Sequence, residues 1–417
     1  MRKEPPIITA FEHQSLHWGD DAGGVLFTEA VGQALVQLHP YLPRPYYTLT
    51  HRGIKLSHYV GVLKTPYVTL EVLPKADAAA HPELGVWRQH LVDLVAACAS
   101  LSVDHNAAAV PSFRASGLHE VYLLDFLTQL ERLYRRGLTK QYQSVAENCF
   151  TVKGRLLFAE HTRRNVVHQE RFFVEHATHT IDHPLHQLLK QALRWVERVS
   201  SDTAVQRRTR RLSYALAPVS DVPLERLKSL KLVFNRYTAR YRTVATIAQQ
   251  LLNASFSHVY RGSTHQGFAF MLDMNLLFEE FVYRRLRRLS TSHGFTVHRQ
   301  ATQLLWGATK ARPDILIKFA DGRENVVVDT KWKVLTQPRP SAVDLHQIYV
   351  YNQLFEARRG ILLYPQVHDL PQQQHRFGGV SDTWAEVHFI SIANRGEKGL
   401  NPQLDQFLLE MLTPTSS

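Results

Sequence analysis

Two aspartates and a lysine lie close together in the segment ARPDILIKFADGRENVVVDTKWKVL, residues 311–335. Carboxylates bind hard divalent cations such as Mg²⁺, and an ammonium group can orient an attacking water or stabilise charge that develops on a phosphate. Asp314, Asp329 and Lys331 therefore have the chemistry for metal-assisted hydrolysis of a phosphodiester, provided that the fold brings them together.

A predicted hairpin would bring the two aspartates together. Residues 315–319 and 326–332 have the composition of strands, and the dipeptide Asp321-Gly322 between them is a strong turn signal. A turn centred on that dipeptide places Asp314 opposite Asp329, with their Cβ atoms roughly 5 Å apart. The two carboxylates are therefore expected to act as one site.

Strand alternation adds the lysine to this site. Asp329 and Lys331 are two residues apart and project from the same face, whereas Thr330 is expected to point away. The apolar run 326–328 before them predicts a buried central strand. Burying two carboxylates together is costly unless a cation neutralises them, and Mg²⁺ is the natural ion. The alternative is a surface hairpin with incidental charges, since such a motif is common by chance.

Two predicted helices could supply further polar groups. Ser341 resembles a helix N-cap, and the helix is expected to reach Gly360, with Arg358 and Arg359 in its last turn. Gln347 and Tyr351 share one face of it, which could contact the substrate backbone or hold the attacking water. A partly exposed polar face would give the same spacing.

The other helix, predicted over residues 273–289, carries the third candidate metal ligand. Glu279 borders the apolar stripe of this helix, whereas Glu280 falls on its polar side. Glu279 could therefore reach the metal. The alternative is a surface glutamate paired to an arginine.

The 417 residues predict more than one domain. Residues 1–115 are β-rich, residues 116–265 are mainly helical, and residues 266–417 alternate helix and strand in the order typical of a mixed sheet flanked by helices. The fold class is therefore α/β, in an α+β multidomain arrangement. The predicted strands that support this division are residues 46–50, 59–63 and 68–73, and the predicted helices are residues 121–134, 185–199 and 244–252.

Composition points to a polyanionic partner. The formal net charge is +12, and arginines cluster at residues 207–211, 236–242 and 284–288, although solvated helix faces would give the same clusters. No apolar stretch approaches the ~20 residues of a membrane span, and the N-terminal residues do not resemble a signal peptide. Cys98 and Cys149 lack metal-ligand spacing, so a reducing cytoplasm is expected. The histidines within residues 176–186 span a predicted break at Pro184 and do not predict a zinc site.

An ordered set of motifs resembles the McrC family, the nuclease subunit of McrBC-type modified-cytosine restriction systems in the PD-(D/E)xK nuclease superfamily. The matching segments run through most of the chain. They are YVGVLKTPYVTLEVLPK (59–75), RGLTKQY (136–142), KGRL (153–156), HPLHQLLKQAL (183–193), MNLLFEEFV (274–282), RPDI (312–315), DTKWK (329–333), DLHQIYVYNQLF (344–355) and ILLYP (361–365).

The resemblance implies a restriction-endonuclease-like domain in residues 266–417. Asp314, Asp329 and Lys331 would be catalytic, with Glu279 and Gln347 in support and with Asp314, Asp329 and Glu279 as ligands of Mg²⁺. It also implies docking, through the β-rich N-terminal region, on a ring-forming AAA+ GTPase that recognises modified DNA. No phosphate-loop motif occurs in this chain, which agrees. His186 stands where family members often have Asn.

Three functions follow from these observations. The first is a Mg²⁺-dependent endonuclease subunit that cleaves double-stranded DNA when docked on the GTP-driven partner. The second is a stand-alone PD-(D/E)xK DNA repair nuclease. The third is a non-catalytic activator or scaffold subunit of a AAA+ motor, which the intact Asp314, Asp329 and Lys331 set disfavours.

Overall fold

The computed structural model describes residues 5–65, 67–74, 91, 93–95, 97–98, 118–200, 202–260, 263–366, 370–378, 382–392 and 400–413. These form two compact units. The first unit holds the described residues up to 98 and those from 256 onwards, and the second holds those from 118 to 255. Among the described helices, none is both long and apolar enough to cross a membrane.

Strands are spread over both units. The strands of the described chain are β1 (Ile7–Phe11), β2 (Ser15–His17), β3 (Tyr47–Thr50), β4 (Gly53–Leu56), β5 (Tyr59–Lys64), β6 (Thr69–Leu73), β7 (Gln141–Cys149), β8 (Arg155–Leu156), β9 (Phe172–Thr180), β10 (Ser255–Tyr260), β11 (Ser263–Asp273), β12 (Phe295–Arg299), β13 (Gln303–Trp306), β14 (Thr309–Ala311), β15 (Ile315–Phe319), β16 (Asn325–Thr330), β17 (Ala357–Pro365), β18 (Gln373–Arg376) and β19 (Trp384–Ile390).

The α-helices whose two ends lie within the described residues are α1 (Glu29–Leu38), α2 (Leu118–Arg135), α3 (Phe158–Arg164), α4 (Pro184–Val199), α5 (Thr203–Ala215), α6 (Leu224–Lys228), α7 (Arg242–Asn253), α8 (Met274–His293), α9 (Ala342–Leu354) and α10 (Leu404–Leu412). Most helices and strands predicted from periodicity lie within two residues of these bounds. The predicted α/β class is confirmed.

A six-stranded mixed sheet is the framework of the C-terminal part of the first unit. Its order is β12-β15-β16-β17-β19-β18. β15 pairs antiparallel with β16, whereas β16, β17 and β19 run parallel. The last five residues of β16 are buried, as its unbroken apolar run predicts. Helix α8 contacts β12 and β16, and α9 contacts β16 and β17, so a buried central strand carries residues 329 and 330.

A second sheet joins the two ends of the first unit. Its order is β1-β6-β5-β11-β10, and β11 pairs antiparallel with β5 from Tyr59↔Asp273 to Lys64↔Phe268. This grouping differs from the three predicted domains, because β11 continues across the boundary predicted after residue 265. The boundary predicted after residue 115 lies outside the described residues. Non-local strand pairing thus places the β-rich N-terminal segment and the C-terminal segment in one unit.

The second unit combines packed helices with a small antiparallel sheet. Helix α7 contacts both α2 and α4 through an apolar face, as the predicted mainly helical segment requires. The sheet, in the order β7-β9-β8, was not predicted. Residues 150–158 have the sequence pattern of a short strand, but they contain only the two-residue β8 and the start of α3.

Helix α9 begins as predicted but ends earlier. The hydroxyl of Ser341 accepts a hydrogen bond from the N–H of Asp344 at 3.2 Å, which is an N-cap. The prediction that the helix reaches Gly360 is wrong, because α9 ends at Leu354 and β17 starts at residue 357. Between them Glu356 adopts a φ of 51°, in the left-handed region. Gly360 is therefore a strand residue and not a helix terminus.

Close packing explains the glycine at position 360. A Cβ atom there would lie 2.6 Å from Oδ1 of Asn352 and 2.7 Å from Cγ2 of Ile348, both on α9. Real Cβ atoms do not approach other atoms so closely, so any larger residue would displace these two side chains or push the helix away from β17.

We expect Gly360→Ala to lower the free energy of unfolding by about 1–3 kcal/mol, the usual cost of overpacking a core. Urea-induced unfolding measures this change. Gly378→Ala is the matched control, since a Cβ atom there meets no atom within 4 Å. Equal stability of the two variants would contradict the packing explanation.

A buried ion pair links β17 to β19 and α10. Arg359 was predicted in a helix but lies on β17, and its Nε and Nη2 are 2.7 and 2.9 Å from the two carboxylate oxygens of Glu386. The same guanidinium donates to the carbonyl groups of Met411 and Leu412 at the end of α10. Burial acts to raise the pKa of Glu386, but His388 and Arg359 outweigh it and lower the pKa to about 2.

This low pKa predicts acid sensitivity. Because the folded pKa lies below the usual 4.5, ionised Glu386 stabilises the fold above pH 4.5, and this contribution is lost as the pH falls towards 2. The contribution of ionised Glu386 to the free energy of unfolding is roughly 3 kcal/mol at most. In denaturant titrations the difference in stability between wild type and Glu386→Gln should therefore shrink over this range. A difference that stays constant down to pH 2 would contradict the assignment.

Candidate active site

The hairpin of β15 and β16 has the register that its turn predicts. Ile315 pairs with Val328 and Ile317 with Val326, and Gly322 in the turn has a φ of 81°. Asp314 immediately precedes β15, and Asp329 follows Val328 in β16, so continuing this register brings the two aspartates opposite each other.

Asp329 is a buried carboxylate in an unfavourable electrostatic environment. Only 2% of the surface of Asp329 is exposed to solvent. Burial, followed by the negative charge of Asp314, raises the pKa of Asp329 to about 7, although the nearby Lys331 opposes the shift. A cation that binds both carboxylates would relieve this repulsion.

Asp314 is held by the residue after Asp329. The backbone N–H and the hydroxyl of Thr330 each donate to Oδ2 of Asp314 at 2.8 Å. We expected Thr330 to point away from the cluster, and this was wrong. Because both bonds end on Oδ2, they orient the carboxylate without engaging its other oxygen.

Lys331 lies between carboxylates from two elements. Its Nζ is 2.7 Å from Oδ2 of Asp329 and 3.6 Å from Oδ1 of Asp344 on α9. Burial acts to lower the pKa of Lys331, but the carboxylates, led by Asp329, outweigh it, so that the pKa is raised. Lys331 therefore stays a cation at neutral pH.

Gln347 connects the lysine to the backbone that precedes Asp314. Nζ of Lys331 donates to Oε1 of Gln347 at 2.8 Å, and Nε2 of Gln347 donates to the hydroxyl of Tyr351 at 2.8 Å. That hydroxyl donates in turn to the carbonyl of Arg312 at 3.1 Å. All three bonds run in one direction, so each polarises the next and the chain fixes the amide.

Glu279 reaches the same cluster from α8. Only 5% of the surface of Glu279 is exposed to solvent. Its Oε1 accepts hydrogen bonds from Arg299 at 2.9 Å and from Gln300 at 3.0 Å. Burial, followed by the charge of Asp314, raises the pKa of Glu279, although Arg299 opposes the shift. The electrostatic effect of Asp314 on both Glu279 and Asp329 ties the three carboxylates to one site.

Gln300 was missed by the sequence analysis. Besides its bond to Glu279, its N–H donates to the carbonyl of Asp314 at 2.9 Å, and its φ of 48° lies in the left-handed region. Strained conformations of this kind cluster at functional sites. Nothing in the local sequence signals either contact, because its partners come from other elements.

A buried glutamate from the N-terminal segment supports the residues that follow β16 and include the lysine. The indole N–H of Trp332 donates to Oε1 of Glu12 at 2.7 Å, and Glu12 is 1% exposed. The Trp332 ring also packs edge-on against Phe278 of α8, with centroids 5.4 Å apart. The N-terminal segment thus contacts the residue next to Lys331.

The arginine clusters are largely engaged within the chain. Arg208 and Arg211 form ion pairs with Glu131, and Arg285 pairs with Asp405 at 2.9 Å. Arg240 donates to carbonyl groups that follow α2. Two of the three clusters belong to the second unit. These pairs give the clusters a structural role, which is the alternative that the sequence left open.

Replacing Asp329 should stabilise the chain. Asp329→Asn removes a charge that its surroundings disfavour, so the free energy of unfolding without divalent ions should rise by about 1–4 kcal/mol. Mg²⁺ should then raise the Tm of the wild type more than that of the variant. The exposed Asp321→Asn on the same hairpin is the control. A loss of stability in Asp329→Asn would contradict this description.

The comparisons with known proteins concern the family and the fold. The family described as "McrBC 5-methylcytosine restriction system component" matches residues 54–365. A search of curated proteins found no match. The chain is similar in fold to "Refined half-complex from tetradecameric assembly of Thermococcus gammatolerans McrB AAA+ hexamers with bound McrC", with a TM-score of 0.63 and 20% identity over 97% of this chain and 99% of that chain.

A second solved structure, "Cryo-EM structure of the Thermococcus gammatolerans McrBC complex", is matched with a TM-score of 0.47 and 22% identity, over 68% of this chain and 87% of that chain. The family match spans well over half of the sequence and includes Asp314, Asp329 and Lys331. The chain therefore belongs to the McrBC 5-methylcytosine restriction system component family, as its ordered motifs predict.

Proposed function

We propose that this chain is the Mg²⁺-dependent DNA endonuclease subunit of a McrBC-type restriction complex. It cleaves phosphodiester bonds when docked on a GTP-driven AAA+ partner that recognises modified DNA. The observation that carries the proposal is the convergence of Glu279, Asp314 and Asp329 with the cationic Lys331 at the end of a buried central strand.

The donor set fits Mg²⁺. Carboxylate oxygens are the hard ligands that this ion prefers. Burial and the charge of Asp314 raise the pKa of both Asp329 and Glu279, so a bound cation would stabilise their ionised forms. Asp314, Asp329 and Glu279 would hold the ion, which would polarise the scissile phosphate and make an attacking water more acidic.

The side chains of the site divide the remaining work. Lys331 supplies a fixed positive charge for the phosphate oxygens or for the attacking water, and its position is set by Asp329 and Gln347. Thr330 turns the carboxylate of Asp314, while Arg299 and Gln300 orient that of Glu279. Because these groups are held before substrate arrives, little reorganisation is needed during cleavage.

The proposed partner rests on the family and on the fold. A solved structure of similar fold is of McrC bound to McrB AAA+ hexamers. This chain lacks a phosphate-loop motif, so nucleotide hydrolysis would have to come from a partner. We assign docking to the β-rich N-terminal segment, whose Glu12 bonds to Trp332 beside the catalytic lysine.

A reconstituted cleavage assay tests the proposal. The chain is incubated with Mg²⁺ and duplex DNA containing 5-methylcytosine, with and without its AAA+ partner and GTP. We expect cleavage only in the complete mixture, and we expect Asp329→Ala and Lys331→Ala each to reduce it at least ~100-fold. Asp321→Ala, on the exposed turn of the same hairpin, should cleave like the wild type.

Each other outcome identifies a different function. Cleavage by the lone chain would indicate a stand-alone nuclease. A complex in which Asp329→Ala still stimulates GTP hydrolysis, and in which even the wild type never cuts DNA, would indicate a scaffold subunit. Unchanged cleavage by Asp329→Ala would place the active site elsewhere.

A further inference from the structure

A second cluster of ligand-type side chains lies on the ribbon formed by β7 and β9. The strands pair without interruption from Gln141↔Thr180 to Cys149↔Phe172. Glu147 and Cys149 are two residues apart on β7 and share a face. His176 lies opposite Val145, another residue of that face, so the ribbon presents all three side chains on one side.

The three ligand atoms converge on one point. A nitrogen of His176, the sulfur of Cys149 and a carboxylate oxygen of Glu147 all lie within 4.8 Å of one another. Nε2 of His176 is 2.9 Å from Oε1 of Glu147, and the thiol of Cys149 donates to the same oxygen at 3.5 Å. A cation placed among them would replace the protons that now join them.

The imidazole is oriented for such a role. Nδ1 of His176 is 3.3 Å from the hydroxyl of Thr178, two residues along β9. When Nδ1–H donates to that hydroxyl, the lone pair of Nε2 points into the cluster. Histidines that bind metals are commonly held in this way through their second nitrogen.

The donor types select the metal. One nitrogen, one sulfur and one carboxylate oxygen suit a borderline ion such as Zn²⁺, whereas Mg²⁺ prefers oxygen ligands alone. The site is also accessible, because the side chain of Glu147 is 50% exposed and that of His176 is 16% exposed. Lys153 acts on Glu147 and Cys149 as a competing positive charge, but its effect on the pKa of each is the smallest of those acting.

We propose that Glu147, Cys149 and His176 bind one Zn²⁺ ion, with water as the fourth ligand. Binding releases the thiol proton of Cys149 to solvent and leaves a thiolate on the metal. The ion cross-links β7 to β9. This site belongs to the second unit and is independent of the nuclease carboxylates, which lie in the first.

Metal titration of the full chain tests the site. The chain carries Asp329→Ala, so that the nuclease cluster contributes less to binding, and Mg²⁺ is left out. We expect one equivalent of Zn²⁺ per chain by calorimetry. Co²⁺ in its place should give the near-ultraviolet charge-transfer band of a thiolate–cobalt bond.

Two cysteine variants locate the ligand. Cys149→Ser should abolish the cobalt band and weaken Zn²⁺ binding at least ~10-fold. Cys98→Ser alters the other cysteine and should keep both properties. Thr178→Val retains all three ligands and should weaken binding about tenfold through the loss of orientation.

Two experimental results would overturn the proposal. A chain with Glu147, Cys149 and His176 intact that lacks the cobalt band, or a Cys149→Ser variant that binds Zn²⁺ as tightly as Cys98→Ser, overturns it. The spectrum of the Cys98→Ser variant, in which Cys149 is the only cysteine, decides the matter even if Cys149→Ser does not fold, because a charge-transfer band of this kind requires a thiolate ligand. None of these results depends on DNA cleavage, so the nuclease proposal stands or falls separately.

Discussion

The gathering of negative charge at the end of a buried strand is the constraint on which the active-site region depends. Asp329 is almost fully buried beside Asp314, and both its burial and that neighbour disfavour its ionised form. Lys331 offsets part of this cost. A chain that folded only for stability would place apolar residues here. This electrostatic cost is the basis of the proposed Mg²⁺ site, and the surrounding hydrogen bonds hold the side chains in place.

The centre of the site could be predicted because it depends on local geometry. The two residues of the turn fix the register of the hairpin, and strand alternation fixes which side chains share a face. Asp314, Asp329 and Lys331 could therefore be placed from spacing alone. The supporting groups could not. Gln300 and Glu12 reach the site from strands and loops distant in sequence, and their role depends on tertiary packing. Thr330 was misjudged because alternation describes where a side chain starts and not which hydrogen bonds it completes.

The same distinction holds for the fold. Helices with a regular apolar stripe were predicted closely, as were the apolar strands. The end of α9 was not, since Gly360 suggested a helix terminus but is a glycine for close packing against Asn352. The β7–β9 ribbon was missed because its sequence is polar. Its two strands are joined by residues 150–171, so the proximity of Cys149 to His176 cannot be read from spacing.

The pairing of β5 with β11 has a consequence for synthesis on the ribosome. Strand β5 ends at Lys64 and must wait for β11, which is complete only at Asp273, so the N-terminal sheet keeps an open edge while the second unit is made. Strand pairs so distant in sequence form slowly, and exposed edges invite aggregation. The second unit, whose contacts are mainly internal, can fold during this interval. Vectorial folding thus makes the outer edge of β5, an early-synthesised strand, one of the last strand edges to reach its native pairing.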